Sequence, residues 1–260
     1  MSINFFDRKN EQVYANRKVD DAWMALIGKE VQVKDKVGVD IGCGGGIYTE
    51  KLLQLGARRI TAFDQSPVML DAAKDSLGSN EKVNFKLGKA DQTGFPNQSF
   101  DFLLTRAVIH HISQLNPLFK EMKRIVRGGG SVIIQDRTEE DCFLPGSATH
   151  LRGYFFSLFP RLKEIEKKRR HSSYDVREAL TEAGFKTVRE QQIWEAREVY
   201  ESFGELAHSL RTRQGRSILF ELTDEEIEQL ISKLKAEWDK NIDVKSIVDR
   251  DRWTIWFAEC

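Results

Sequence analysis

An α/β fold, a parallel sheet wrapped by helices, is what this 260-residue sequence predicts. Three observations carry the expectation. Between Val37 and Asp136, short β-rich runs alternate with amphipathic stretches. The runs recur at regular intervals. The first of them empties into a loop nearly devoid of side chains, Gly42-Cys43-Gly44-Gly45-Gly46.

Taken in order, Lys36 to Ile41 reads as the first strand, followed by Arg59 to Phe63, Val83 to Leu87, Phe100 to Thr105 and Ser131 to Gln135. Between the last two, Leu115, Leu118, Phe119, Met122, Ile125 and Val126 recur at helical spacing, and Gly128-Gly129-Gly130 is expected to stop that helix. After Asp136 the pattern changes. Leu151 to Arg170 is aromatic and basic, with Tyr154, Phe155, Phe156 and Phe159 ahead of Pro160, which predicts a helical lid inserted over residues 138–172. Its closing Lys167-Lys168-Arg169-Arg170 reads as a solvated last turn favoured by the helix dipole. Ser173 to Ala183 predicts a helix, and Phe185 to Glu190 and Trp253 to Ala258 the last two strands. A second helical insertion is expected over 195–245. In it Thr223 and Glu226 form a capping box with Leu222 and Ile227 as a staple, and Ile227, Leu230, Ile231, Leu234 and Trp238 share one face. Residues 1–30 are expected to be a helical segment folding over the ligand, and the whole chain, 1–260, a single domain.

Forty basic residues balance forty acidic ones, so no global field gathers nucleic acid or an anionic membrane. Hydrophobic residues at 40% supply a core. Cys43, Cys142 and Cys260 show no CxxC spacing and no histidine pairs at ligand intervals, so neither a metal site nor a disulfide framework is expected. Met1 to Lys9 lacks the apolar segment of a signal peptide, and no run approaches the roughly 20 apolar residues of a membrane span. A cytoplasmic location is the default.

A glycine loop closing the first strand of an open α/β sheet lies beside the point where ligands bind. A dinucleotide fingerprint would need a third glycine where Ile47 stands. An amino acid joined to a nucleoside fits better, because its ammonium wants carboxylates and carbonyls, and Asp40 supplies one. An acid about 20 positions on should close the second strand and accept from ribose hydroxyls. Asp64 occupies that place, with Gln65 and Met69 ready to pack about an adenine, and Ala90-Asp91-Gln92 puts a further carboxylate at the end of the third strand.

These residues resemble the class I S-adenosylmethionine-dependent methyltransferases, in particular the branch acting on small molecules. Asp40 to Gly46 matches that family's DxGxGxG loop, Asp64 to Leu70 its ribose segment, and Ala90-Asp91 followed by Phe95-Pro96 its adenine segment. The usual Lys-Pro-Gly-Gly is replaced by Arg127-Gly128-Gly129-Gly130. The resemblance implies a Rossmann-like, seven-stranded, mostly parallel sheet with its last strand antiparallel and helices on both faces. It also implies S-adenosyl-L-methionine as cofactor, held by Asp40, Gly42, Gly44, Gly46, Asp64, Gln65, Met69, Asp91, Gln92, Arg106 and Tyr14.

A sulfonium methyl is already activated, so the protein has mainly to align a nucleophile and exclude water. His110 and His111, beyond the fourth strand, are the candidate bases, although packing roles suit them as well. Arg106 and Arg137 fall on the ligand edge and suit a carboxylate substrate, while His150, Tyr154, His171, Tyr14 and Arg17 come from the flanking segments. The expected partner is a small-molecule acceptor, without nucleic acid or membrane, for a monomer or homodimer. The rival classes are a nucleic-acid or protein methyltransferase, a non-catalytic cofactor-binding scaffold, and a nicotinamide oxidoreductase. The first is disfavoured because Thr105-Arg106-Ala107-Val108 replaces an Asn-Pro-Pro-Tyr type motif.

Overall fold

The computed structural model describes residues 19–240 and 246–260. Their strands form one sheet in the order β3-β2-β1-β4-β5-β7-β6. These are β1 (Val37–Ile41), β2 (Arg59–Asp64), β3 (Val83–Leu87), β4 (Phe100–Arg106), β5 (Val126–Asp136), β6 (Thr187–Tyr200) and β7 (Ile247–Glu259). β1 to β5 pair in parallel, and β7 runs antiparallel to both β5 and β6. The order reverses between β1 and β4, and the crevice beyond their carboxyl ends is where an open α/β sheet binds ligands.

Strand side chains alternate between two apolar clusters because successive residues face opposite ways. On one face Val132, Ile134 and Trp256 bury against α4 (Leu115–Ile125) and α8 (Ser173–Glu182). On the other, Ile133, Ile255 and Phe257 bury against α1 (Asp21–Glu30) and α2 (Ile47–Gln54). α3 (Pro67–Leu77) packs Leu70 and Ala73 on β2, and Ser66 caps it by accepting from the Met69 amide. That cap fixes the turn leaving β2 beside the crevice. No helix among the described residues is long and apolar enough to cross a membrane.

Four expectations change. The glycines Gly128 to Gly130 do not stop α4, which ends at Ile125; they form a bulge inside β5, where Phe100 opposes Val126 and Phe102 already opposes Ser131. β6 continues to Tyr200, so the second insertion begins after it rather than at residue 195. Its capping box at Thr223 and Glu226 does open α10 (Asp224–Trp238), and residues 241–245 lie outside the described residues.

The two insertions bury each other. Phe155 and Phe156 of α6 (Arg152–Leu158) and Leu162 of α7 (Arg161–Lys167) join Leu206 and Leu210 of α9 (Phe203–Arg211) and Leu230 of α10 in one apolar cluster. Their apolar faces are satisfied there, and none of their described side chains lines the crevice beside β1 and β4. The basic turn ending α7 is not wholly solvated either. Arg170 is buried and bonded to Asp136 at 2.9 Å and Glu166 at 2.7 Å, because a charge this deep must be paired.

Candidate active site

A cavity of about 520 Å³ opens at the carboxyl ends of β1, β2 and β4, inside the roughly 300–1,000 Å³ range of small-ligand sites. Its walls gather residues scattered along the chain: Asp40, Gly42 and Gly44 from the glycine loop, Asp64, Gln65 and Met69 from the turn after β2, Asp91 after β3, and Arg106 and His111 after β4.

The loop glycines have separate reasons for being glycine. At Gly42, φ is +76°, and an added Cβ would stand 2.2 Å from Val108 Cγ2, so the turn after β4 can close on the loop only over a bare Cα. Gly46 has φ +84°, and its Cβ would meet Leu77 Cδ1 of α3 at 2.8 Å. At Gly44 and Gly45 a Cβ would meet nothing within 4 Å, and both positions face the cavity. Gly46 itself does not line it; its role is to start α2.

The loop amides are largely spent inside the protein. Gly42 and Cys43 both donate to the Phe63 carbonyl, Gly44 donates to Asp64 Oδ2 at 3.0 Å, and Gly46 donates to the Cys43 carbonyl. A pyrophosphate cradle needs such amides free. This loop instead offers bare chain and nearby carboxylates, which suits a cationic amino group, and so the donor set fits an aminoacyl nucleoside better than a dinucleotide.

Asp40 is 2% exposed and accepts from Thr49 Oγ1 at 2.7 Å. Burial, with the Thr49 bond opposing it and the charge of Asp64 adding to it, raises its pKa to about 7. Asp64 is raised too, chiefly by burial, against the pull of its hydrogen bonds from Ser66, Gly44 and Gln65. Both acids are thus short of positive charge, the condition a bound ammonium relieves. Asp91 lies exposed at the cavity edge, whereas Gln92 does not line it, and its backbone N–H donates to the Lys89 carbonyl.

After β4 the chain makes a sharp turn through Ala107, left-handed at φ +56°, into a short 3₁₀ turn, Ile109–His111. The strain is imposed by its surroundings. Ala107 donates to the Gln135 carbonyl, and His171 Nε2 donates to the carbonyls of Ile112 at 2.7 Å and Ile109 at 3.1 Å. His110 is a candidate base that the structure removes from the cavity: its Nδ1 donates to Asp136 Oδ2 at 2.8 Å, behind the turn. Burial keeps it neutral despite that carboxylate. His111 does line the cavity, with its ring 3.9 Å from that of His110. Crowding by the surrounding chain, and then His110, push its pKa down to about 4 although one side stays open.

Arg106 ends β4 with its guanidinium bonded to Glu195 Oε2 at 2.6 Å. Burial works against its charge, but Glu195 and Tyr48 outweigh burial and raise its pKa. Glu195, Tyr48, Lys89 and Val108 belong to this site or its support and were not singled out from the sequence. Tyr48 had a readable signal, standing second in the helix that follows the glycine loop. Glu195 had none, since it lies 89 positions from the arginine it holds. Arg137 does not line the cavity, being bonded to Asp251 at 2.9 Å, and His150 donates to the Arg250 carbonyl away from it. Tyr14 and Arg17 lie outside the described residues.

A glycine loop, an acid ending each of two neighbouring strands and a switch-point cavity define a nucleoside-binding α/β protein. Comparison with known proteins points the same way. Residues 39–134, a little over a third of the chain, match the methyltransferase-domain family, and the chain is similar to S-adenosylmethionine-dependent methyltransferases. It is 29% identical over 183 residues to the malonyl-(acyl-carrier protein) O-methyltransferase of Paenibacillus sp. (strain JDR-2), covering 67% of this chain and 63% of that one. It is 28% identical over 159 residues to the tRNA U34 carboxymethyltransferase of Aliarcobacter butzleri, covering 56% and 52%. The chain thus spans between half and two thirds of these relatives' length. Among solved structures, a protein of an antibiotic biosynthesis pathway of Anabaena variabilis, provisionally assigned as a methyltransferase, superposes with a TM-score of 0.67 at 22% identity, covering 91% and 96%. The Haemonchus contortus phosphoethanolamine N-methyltransferase 2 with bound S-adenosylhomocysteine gives 0.57 at 17%, covering 99% and 60%. At such identities the likeness shows the fold.

Proposed function

We propose that the chain transfers a methyl group from S-adenosylmethionine, held in the cavity at the β1/β4 switch point, to a small-molecule acceptor. One observation carries the reading: Asp40, buried, and Asp64, half-buried, both short of positive charge, flank bare chain at Gly44 and Gly45. In this reading Asp40 faces the donor's ammonium and Asp64 its ribose hydroxyls, while Asp91, Gln65 and Met69 surround the adenine. The bound donor supplies a methyl group already activated for displacement.

The remaining tasks fall to the chain. Val108 and Ile112 wall the cavity with apolar surface and keep water from the reacting centre. His111 is neutral at pH 7 and offers an imidazole nitrogen to a hydroxyl or ammonium proton of the acceptor. With a pKa near 4 it orients that proton better than it removes it. Balanced charge, 40 basic against 40 acidic residues, supports a small acceptor over a polyanion, although three relatives are named for tRNA. Incubation with donor labelled at the methyl group, first with pooled small metabolites and then with total RNA, tests the reading. Label passing to RNA alone would overturn the acceptor class; no binding of S-adenosylhomocysteine would overturn the donor.

A further inference from the structure

We propose that Arg106 is the carboxylate receptor of the cavity and that Glu195, on an edge strand remote from every sequence motif, positions it. The inference deepens the reading above and rests on it.

The guanidinium is held from three directions. Nη2 donates to Glu195 Oε2 at 2.6 Å, and the plane lies over the Trp253 ring at 4.0 Å and the Tyr48 ring at 4.3 Å. The holders are fixed in turn. Tyr48 donates its hydroxyl to Glu195 Oε2 at 3.2 Å, Gln135 Nε2 donates to Glu195 Oε1 at 2.7 Å, and Trp23 Nε1 donates to Gln135 Oε1 at 2.8 Å. Glu195 is 4% exposed, and its two oxygens are taken by three protein donors. Arg106, by contrast, spends only Nη2: among the described residues Nη1 has no hydrogen-bond partner, and the side chain lines the cavity. A cation locked by two rings and a buried acid, with a fork edge unspent beside a cavity, matches a planar carboxylate.

The chemistry opposite agrees. Asp40 lines the same cavity close enough for the two charges to influence each other. An acid and a guanidinium together complement the two ends of an α-amino acid, so the donor's aminoacyl arm is one source of the carboxylate; the acceptor is the other.

Titration calorimetry of the full chain separates them. The probes are S-adenosylhomocysteine, methylthioadenosine, which lacks the aminoacyl arm, and benzoate added to the S-adenosylhomocysteine complex. Arg106→Gln is expected to weaken S-adenosylhomocysteine by about 10- to 100-fold, the loss of a charge-assisted hydrogen bond, and to leave methylthioadenosine within about twofold. Glu195→Gln keeps the shape and is expected to lower the same ratio by a smaller factor. If S-adenosylhomocysteine is unaffected and benzoate binding is lost, the carboxylate belongs to the acceptor and the proposal stands. Equal loss of both nucleosides, or no change with any probe, overturns it. Arg106→Lys, which keeps the charge without the fork, gives the same ratio should the glutamine variant not fold. Wild-type protein that binds neither nucleoside refutes the donor site itself, a result distinct from failure of this inference.

Discussion

Replacing Asp40 by asparagine should make the ligand-free protein more stable, and increasingly so as pH rises. Asp40 is 2% exposed on the cavity floor, with the Thr49 hydroxyl as hydrogen-bond donor and Asp64 and Arg106 as charged neighbours. Burial raises its pKa from 3.8 to about 7, so the folded chain keeps a proton that the unfolded chain gives up. A raised folded value means that protonation favours folding. The contribution is full below about pH 4, declines as pH rises, and is gone above about pH 7. The gap from 3.8 to about 7 corresponds to on the order of 4 kcal/mol. Asparagine removes the proton's influence and still accepts from Thr49. Denaturant unfolding of wild type and Asp40→Asn across this range isolates Asp40, because every other titrating group is common to both. The variant's advantage should be smallest near about pH 4 and grow to several kcal/mol by about pH 8. A difference that does not change with pH would refute the reasoning. S-adenosylhomocysteine affinity should run the opposite way, rising with pH in wild type as its ammonium replaces the proton, and staying weak and flat in the variant.

Other substitutions test other parts of the site. Asp64→Ala removes the acceptor proposed for the ribose hydroxyls, along with that of the Gly44 and Ser66 amides, and should weaken S-adenosylhomocysteine by roughly 1–3 kcal/mol, the cost of leaving the bound hydroxyls unpaired, read by calorimetry. Unchanged affinity would exclude the ribose role. Gly46→Ala forces an L side chain to φ +84° and against Leu77, and should cost at least about 1–2 kcal/mol, visible as a lower melting temperature. Arg170→Met leaves Asp136 and Glu166 buried with less compensation and should cost about 3–5 kcal/mol in denaturant unfolding. His111→Ala is expected to slow methyl transfer while leaving S-adenosylhomocysteine binding nearly unchanged; equal loss of both would assign it to donor binding.

Much of the cavity wall was legible along the chain because it is built from local sequence. A hydrophobic run ending in glycines, an acid closing the second strand and another four residues beyond the third are short-range patterns, and the sheet brings Asp40, Asp64 and Asp91 together by repeating one βα unit. The same local reading overextended itself at Gly128 to Gly130. Three glycines look like a helix stop, yet Val126 already pairs with Phe100, and the glycines relieve a bulge instead. It gave Gly42, Gly44 and Gly46 to the ligand, and could not see that close packing against Val108 and Leu77 is a separate reason for glycine at Gly42 and Gly46.

What the sequence by itself determined is the alternating framework, the switch-point loop and the acids around it, because each depends on residues within one βα unit. Tertiary structure alone decided which histidine faces the cavity, that Arg170 is buried rather than solvated, and that Glu195 reaches Arg106 across the sheet. Those outcomes depend on pairings between residues 26, 34 and 89 positions apart. A chain pattern carries no trace of such pairs, since burial and partner are properties of the packed molecule and become defined only when the strands have found their order.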